Sequence, residues 1–306
     1  MGDSTSQDAV TRAGFVALIG APNAGKSTLM NQLVGTKVSI VTHKVQTTRS
    51  LVRGIVMRDQ TQIIFVDTPG IFSPRRRLDT AMVNAAWEGA RDADCIVLLI
   101  DAERGLKGDA TTIIASLCEI SQRKILLLNK IDKVSRDSLL KLAQDANELC
   151  AFDETFMISA LNGNGCDDFL AALAGSLPEG PWLYPEDQIS DLPLRQIAAE
   201  VTREKLYLRL HQELPYSSHV ETENWSEQDD GSVKIEQVIY VERSAHKKIV
   251  IGNKGQTIKA ISTAARKEMA EILEQKVHLF LFVKVREKWG DDPERYRMMG
   301  LEFPKV

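Results

Sequence analysis

Two motifs carry residues that suit phosphate chemistry. Residues 20–27 read GAPNAGKS, a complete GxxxxGK[S/T] loop that follows an apolar run and precedes a helical pattern. In that context consecutive backbone amides and a helix N-terminus form an anion-binding concavity. Lys26 brings positive charge to the β- and γ-phosphates, and the Ser27 hydroxyl suits Mg²⁺. The loop residues predicted to contact phosphate are Gly20, Ala21, Pro22, Asn23, Ala24, Gly25, Lys26, Ser27 and Thr28.

The second phosphate motif, DTPG, follows the apolar run 63–66. An aspartate at the end of a strand can hold Mg²⁺ through water, and a glycine amide two residues beyond the threonine can meet the γ-phosphate. Upstream, QTTR at 46–49 lies in a loop where a threonine would complete the Mg²⁺ shell. The predicted residues are Asp67, Thr68, Pro69, Gly70 and Ile71, with Gln46, Thr47, Thr48 and Arg49 as switch I.

A third pair of motifs concerns the base. NKID at 129–132 follows the apolar run 125–128, and SAL at 159–161 follows the run 155–158. Guanine presents N1–H and its 2-amino group as adjacent donors, and one carboxylate, Asp132, can accept from both. Adenine would leave that charge unpaired, at a cost of roughly 2–5 kcal/mol. The predicted guanine-binding residues are Asn129, Lys130, Asp132, Ser159, Ala160 and Leu161.

Each tetrapeptide alone recurs by chance, so the prediction of a GTPase depends on all of the motifs occurring together in this order. All of them sit where ligands bind in open α/β sheets, at the carboxyl ends of strands. NKID together with DTPG disfavours a P-loop kinase. Intact Lys26, Ser27, Asp67 and Asp132 argue against a non-catalytic RNA-binding protein with a vestigial nucleotide site.

The elements that must position these motifs alternate between short apolar runs and amphipathic stretches. Strands are predicted at 15–19, 63–66, 95–100, 125–128 and 155–158, and helices at 25–33, 79–90, 109–121, 136–150 and 166–176. Such alternation predicts an α/β domain with a mostly parallel sheet and helices on both faces. Residues 51–66, turning at 59–60, form the one expected antiparallel hairpin.

Three prolines and a glycine in 177–188 exclude a helix or a central strand there, so this segment is the predicted domain boundary. Beyond it the expected order is helix 192–212, strands 217–226 and 232–242, helix 245–251, a GNKG turn, helix 256–273 and strand 277–286. That order is typical of an α+β type II KH domain, in which GxxG approaches a nucleic-acid backbone.

Charge supports the RNA interpretation of this second half. The window 243–288 holds eleven Lys and Arg against four Glu, inside a chain of net charge −4. A basic surface of this kind suits nucleic acid, and the alternative partner is anionic lipid in a membrane-signalling GTPase. The GxxG turn favours RNA. The predicted RNA-binding residues are Lys247, Lys248, Ile251, Gly252, Asn253, Lys254 and Gly255.

The motifs together resemble the Era family of bacterial GTPases, of the TrmE-Era-EngA-like P-loop class, from about residue 14 to 289. GAPNAGKSTLMNQLVG, QTTR, DTPGI, NKID, SAL, LPEGPWLYPEDQISD and IVIGNKGQTIKAIS carry the likeness. The resemblance implies a factor for 30S ribosomal subunit assembly that binds 16S rRNA near its 3′ end, with GTP or GDP and Mg²⁺ as cofactors. It also implies Thr48 rather than Thr47 as the Mg²⁺ ligand, Asn23 as a candidate potassium ligand, and peripheral contact with the inner membrane.

One departure from Ras-like proteins concerns hydrolysis. Ile71 stands where a water-orienting glutamine is found in those proteins, so the sequence predicts slow intrinsic hydrolysis and assigns no catalytic base. The expected domains are a disordered tail at 1–13, a GTPase domain at 14–177, a linker at 178–190, a KH domain at 191–290 and a tail at 291–306. One more short helix is expected in that tail, at 291–299. A polar N-terminus, apolar runs too short to span a bilayer and four scattered cysteines predict a cytoplasmic monomer without a disulfide or transition-metal site.

Overall fold

A computed structural model of the chain describes residues 10–44, 47–211, 214–287 and 289–304. Backbone contacts divide it into two compact units. The first comprises the described parts of Met1–Val38, Leu51–Ser73 and Ala86–Asp191, and the second those of Ser39–Ser50, Pro74–Ala85 and Leu192–Val306. The division is not contiguous, because two segments from the first half of the chain belong to the second unit.

The first unit is built on a six-stranded sheet. Its strands are β1 (Arg12–Ile19), β2 (Val52–Arg58), β3 (Thr61–Asp67), β4 (Cys95–Asp101), β5 (Arg123–Asn129) and β6 (Glu154–Ile158). The order is β2-β3-β1-β4-β5-β6, and every neighbouring pair is parallel except β2 and β3. β3 and β4 are buried along their whole length, as expected of strands covered on both faces. The predicted parallel sheet and single hairpin are confirmed.

Helices follow the strands of this sheet. They are α1 (Lys26–Val34), α2 (Arg77–Arg91), α3 (Asp109–Cys118), α4 (Arg136–Leu149) and α5 (Cys166–Ser176). Helix α4 begins where the Ser135 side chain accepts a hydrogen bond from the Ser138 amide, a standard N-cap. Helix α3 ends at Cys118, before the predicted end at residue 121. Helix α2 contributes residues to both units.

The second unit contains α6 (Leu194–Arg209), β7 (Ser218–Glu227), β8 (Val233–Val241), α7 (Ser244–Ile251), α8 (Gln256–Leu273), β9 (Val277–Val285) and α9 (Pro293–Met298). Its sheet has the order β7-β8-β9, with β7 antiparallel and β9 parallel to β8. Helices α6, α7 and α8 cover one face with apolar residues such as Leu206, Val250 and Ile261. This is the helix and strand order that the sequence predicts for a type II KH fold.

Several predicted boundaries need correction. Strand β1 begins at Arg12, within the predicted tail 1–13, because its first residues pair with Thr61 and Gln62 of β3. The short helix expected at 291–299 is present as α9, but the segment is not a free tail, because Tyr296 and Leu301 are buried in a cluster with Trp289. Apolar side chains therefore extend the second unit beyond residue 290.

Candidate functional site

The phosphate loop connects β1 to α1, and its lysine is directed back onto the loop. Lys26 Nζ donates to the carbonyl oxygens of Gly20 at 3.0 Å and Ala21 at 3.3 Å. Burial lowers the pKa of Lys26 to about 8, and the nearby Asp67 carboxylate partly opposes that shift. Binding of an anionic phosphate would restore the ordinary pKa of this ammonium group.

Glycine is required at two positions of this site by close packing. A Cβ on Gly25, whose φ is +104°, would lie 2.2 Å from Asn129 Nδ2. A Cβ on Gly70 would lie 2.9 Å from Pro22, and the next amide, that of Ile71, donates to Gly20 O at 3.1 Å. The structure therefore packs the DTPG segment directly against the phosphate loop, as the motif order predicts.

Hard oxygen ligands meet where a divalent cation would bind. Ser27 Oγ donates to Asp67 Oδ2 at 2.6 Å, and Asp67 is the fully buried last residue of β3. The Thr68 hydroxyl donates to Leu18 O at 2.7 Å, which fixes the chain immediately after the aspartate. A hydroxyl and a carboxylate, both hard oxygen donors, fit Mg²⁺.

Asn129, the last residue of β5, links three parts of the site. Its Nδ2 donates to Ala24 O of the phosphate loop at 2.8 Å. Its Oδ1 accepts from the amides of Lys130 at 2.8 Å and Ala160 at 2.9 Å. Because the side chain is buried, these bonds fix the phosphate loop, NKID and SAL relative to one another.

The remaining predicted base residues converge at the same edge of the sheet. Asp132 is exposed, and its Oδ1 accepts from Ser159 Oγ at 2.6 Å. That hydrogen bond is the main cause that lowers the pKa of Asp132, so the carboxylate is held ionised. Leu161 is 74 % exposed, which leaves it available to a ligand.

Sequence reasoning missed Asp101, the last residue of β4. Its Oδ2 pairs with Lys130 Nζ at 2.5 Å, and the same ammonium donates to Asn23 O at 3.0 Å. The pair holds the Lys130 side chain across the base site. The signal was available, since Asp101 ends a strand at the same sheet edge as Asp67 and Asn129.

The residues predicted for the nucleotide site are divided between the two units. Gln46 lies outside the described residues, and Thr47, Thr48 and Arg49 belong to the second unit, whereas Ser27 and Asp67 belong to the first. The Thr47 hydroxyl is engaged locally, with Thr42 Oγ1 at 2.7 Å and Lys44 O at 2.8 Å. Thr48 is buried.

In the second unit, the GNKG turn joins α7 to α8. Gly252 has φ +75°, and a Cβ there would lie 2.1 Å from Thr257 Oγ1. Asn253 and Lys254 are exposed, and Lys254 has φ +47°. Lys248 is exposed, whereas Lys247 and Ile251 are half-buried on the preceding helix. The seven predicted RNA-binding residues thus lie in the second half of α7 and in the turn that follows it, and Ile251 packs against the apolar core of this unit.

Metal-binding clusters and membrane-spanning helices are both absent from the described part of the chain. Nowhere in it do three or more His, Cys, Asp or Glu side chains form a group that could hold a metal ion. No helix in residues 10–44, 47–211, 214–287 or 289–304 is long and apolar enough to cross a membrane.

A P-loop domain with guanine-recognition motifs, joined to a KH fold, defines an RNA-binding class of GTPase. The model of the 50S ribosome-binding GTPase family matches residues 15–130, and that of the KH domain matches residues 213–290. GTPase Era of Sinorhizobium medicae is 70 % identical over 303 residues, 99 % of this chain and 98 % of its own length. That of Agrobacterium fabrum is 71 % identical over 295 residues, 96 % of this chain and 93 % of its own. The chain belongs to the GTPase Era family.

Solved structures agree with this assignment. A variant of Aquifex aeolicus Era bound to GDP.AlF4⁻ has a TM-score of 0.90 and 39 % identity, and the match covers 95 % of this chain and 99 % of that one. A structure of Era with MgGDPNP and nucleotides 1506–1542 of 16S ribosomal RNA gives the same values. The predicted fold class, of a P-loop GTPase domain and a type II KH domain, is confirmed.

Proposed function

We propose that this chain is a GTP-hydrolysing switch that binds 16S rRNA near its 3′ end through its KH domain and assists assembly of the 30S subunit. The observation that carries the nucleotide half is the Asn129 side chain, which ties the phosphate loop to both base-recognition segments. We propose that residues 14–177 bind GTP, that residues 178–190 are a linker and that residues 191–290 bind RNA.

Asp132 selects guanine, because its carboxylate can accept hydrogen bonds from the N1–H and 2-amino groups of the base. Ser159 holds that carboxylate in place. A backbone amide of the SAL segment would donate to guanine O6, and the Ala160 amide of that segment donates to Asn129 Oδ1 in this structure. Lys130, fixed by Asp101, lies along the base with Leu161 beyond it. ATP lacks the matching donors and would leave the carboxylate desolvated without a partner.

The phosphates bind to the amides of residues 20–28, to Lys26 and to the Gly70 amide. Ser27 and Thr48 would hold Mg²⁺ directly, and Asp67 would hold it through water. Membership of the Era family favours Thr48 over Thr47 for this role. The ion, when bound, neutralises charge that develops on the β- and γ-phosphate oxygens. Asn23, in a left-handed conformation with φ +64°, is the proposed potassium ligand.

Hydrolysis is slow without assistance. Ile71 is buried and aliphatic, so its side chain cannot orient water by hydrogen bonding. No side chain is assigned as catalytic base. Faster turnover would need a partner, a backbone group or a potassium ion held at Asn23.

A phosphate-release assay on the purified chain tests the nucleotide half. With Mg²⁺ we expect release from GTP and none from ATP, and faster release in K⁺ than in Na⁺. The Asn23→Ala variant should lose the difference between the two cations while keeping GDP affinity. Equal hydrolysis or equal binding of ATP and GTP would refute the assignment.

RNA binding is proposed at the surface made by Lys247, Lys248, Ile251 and the GNKG turn. An RNA fragment with the 3′ end of 16S rRNA should bind roughly tenfold more weakly to Lys254→Ala, which removes an exposed cation from the turn. Lys107→Ala, an exposed lysine of the first unit, is the matched control and should bind as wild type. If the two variants bind RNA equally, or if the chain binds anionic vesicles and not RNA, the RNA proposal fails.

The proposed location is the cytoplasm, with the protein as a monomer on the 30S subunit and in peripheral contact with the inner membrane. Basic residues of the second unit support the last part, since anionic lipid attracts such surfaces. Sedimentation of the chain with anionic vesicles, in low and in physiological salt, tests it. Retention only at low salt would count against a physiological contact.

A further inference from the structure

Two exposed phenylalanines lie on β9, the strand at one edge of the sheet in the second unit. Phe280 is 47 % exposed and Phe282 is 50 % exposed, whereas their neighbours in sequence, Leu281 and Val283, pack into the apolar cluster under the helices. Because side chains alternate along a strand, both rings lie on the face of the sheet opposite to α6, α7 and α8. We call this pair the Phe280–Phe282 platform.

The surroundings of the platform suit a nucleotide. Lys234 Nζ of β8 lies 5.4 Å from the centroid of the Phe280 ring. Beside that ring is a depression of about 370 Å³. Its lining includes polar residues of the β7–β8 turn, of β8 and of β9, among them Gln228, Asp230, Ser232 and His278. Rings for stacking, polar groups for the edges of bases and a lysine for phosphate are the contacts that proteins make with single-stranded RNA.

The charges around the platform favour RNA over a protein partner. Lys234 and Lys284 flank the two rings, and each pairs with a glutamate, at 2.6 Å and 2.9 Å. The central part of a protein–protein interface is depleted in charged residues, which does not describe two rings set among ion pairs. Segment 275–286, which contains β9, has three Lys or Arg and no Asp or Glu that would repel phosphate. Because the flanking lysines are already paired, we expect stacking rather than charge to give most of the affinity.

The platform adjoins the surface at which RNA binding is proposed. Val283 of β9 packs in the same apolar cluster as Val250 and Ile251 of α7, the helix that leads into the GNKG turn. A GxxG turn clamps about four nucleotides. The Era structure with bound RNA contains nucleotides 1506–1542 of 16S ribosomal RNA, a much longer segment. An RNA of that length extends beyond the turn, and the free edge of β9 connects the helical face of the sheet to the platform.

We propose that the Phe280–Phe282 platform stacks unpaired bases of the RNA whose neighbouring nucleotides bind at the GNKG turn. The proposal rests on the proposed RNA-binding function of this unit. It adds a second contact area on the opposite face of the sheet, where aromatic stacking takes the place of contacts to the phosphate backbone.

The test measures the affinity of the full chain for a fragment with nucleotides 1506–1542 of 16S rRNA, with Mg²⁺ and a non-hydrolysable GTP analogue present. Phe280→Ala and Phe282→Ala should each bind about tenfold more weakly, because each removes a stacking ring. Phe282→Tyr keeps the ring and should bind as wild type, whereas Phe282→Leu keeps apolar bulk without a ring and should bind as weakly as Phe282→Ala. Leu208→Ala is the matched control, since Leu208 is 51 % exposed on α6 of the same unit, and it should have no effect.

The dependence on salt separates the platform from the GNKG turn. Lys254→Ala should lower the slope of log affinity against log salt concentration by about one, since it removes a phosphate contact, whereas the phenylalanine variants should keep the wild-type slope. Wild-type RNA affinity in Phe280→Ala and Phe282→Ala, or in Phe282→Leu, would overturn the proposal, provided that Lys254→Ala binds more weakly. Loss of self-association in the phenylalanine variants with unchanged RNA binding would also overturn it, in favour of a protein contact. If the wild-type chain binds no RNA, the proposed function itself fails.

Discussion

Replacing Asn129 by alanine should have a large effect that can be worked out from its hydrogen bonds. The amide side chain satisfies the Ala24 carbonyl and the backbone amides of Lys130 and Ala160, all at 2.8–2.9 Å in a buried setting. A buried polar group left without a partner costs about 1–3 kcal/mol. With water entering the small cavity, the free energy of unfolding should fall by about 3–5 kcal/mol, a large part of a typical domain's stability.

GTP binding should weaken as well, because the backbone of Lys130 and Ala160 loses the side chain that orients it. Two weakened positions at about 1–1.5 kcal/mol each correspond to roughly 30–150-fold weaker GTP binding. Urea unfolding and titration with a fluorescent GTP analogue measure the two quantities. Asn147→Ala, at an exposed helical asparagine bonded to Ala143 O, should change neither by more than about 0.5 kcal/mol. A loss below about 1 kcal/mol in Asn129→Ala, similar to that of the control, would refute this account.

Other predictions concern the phosphate loop, the base site and the GNKG turn. Lys26, with a pKa of about 8 in the free protein, binds its proton more tightly once phosphate is present, so GDP affinity should fall as pH rises above 8, by up to about tenfold per unit. Titrations from pH 7 to 9.5 measure this, and a slope retained in Lys26→Arg would contradict it. Ser159→Ala removes the bond that orients Asp132 and should weaken GTP binding about tenfold, with ATP binding unchanged, as competition assays would show. Gly252→Ala places a Cβ 2.1 Å from Thr257 Oγ1 and should weaken RNA binding in filter assays while leaving GTP hydrolysis as in wild type.

Several residues that the sequence predicts for the nucleotide site lie together in the first unit, because their positions follow from local sequence. Asp67 and Asn129 each end an apolar run, and parallel strands bring such ends to one edge of the sheet. Gly25 had to be glycine for a reason the motif encodes, the close approach of the Asn129 side chain. Spacing and strand order were therefore sufficient to group these residues without any knowledge of tertiary contacts.

Contacts between segments that are far apart in the sequence could not be predicted from motifs and spacing. The position of Asp101 at the end of an apolar run indicates that it lies at the edge of the site, but its pairing with Lys130 depends on two adjacent strands and not on a motif. The sequence predicts a short helix at 291–299 but not the burial of Tyr296 and Leu301, because their apolar partners, Leu78 and Met82, lie in the first half of the chain. Burial of this kind leaves no periodic signal in a short segment.

The position of Arg49 shows why this limit matters for function. In the sequence it is the fourth letter of QTTR, and proximity to the two threonines assigns it to the nucleotide site. Its guanidinium instead donates to backbone carbonyls of residues 215–218. The rings of Tyr207 and Trp289 lie within cation–π distance of the same group. Adjacent residues of one sequence motif therefore need not contribute to the same site, because the Arg49 side chain is taken up by contacts within the second unit.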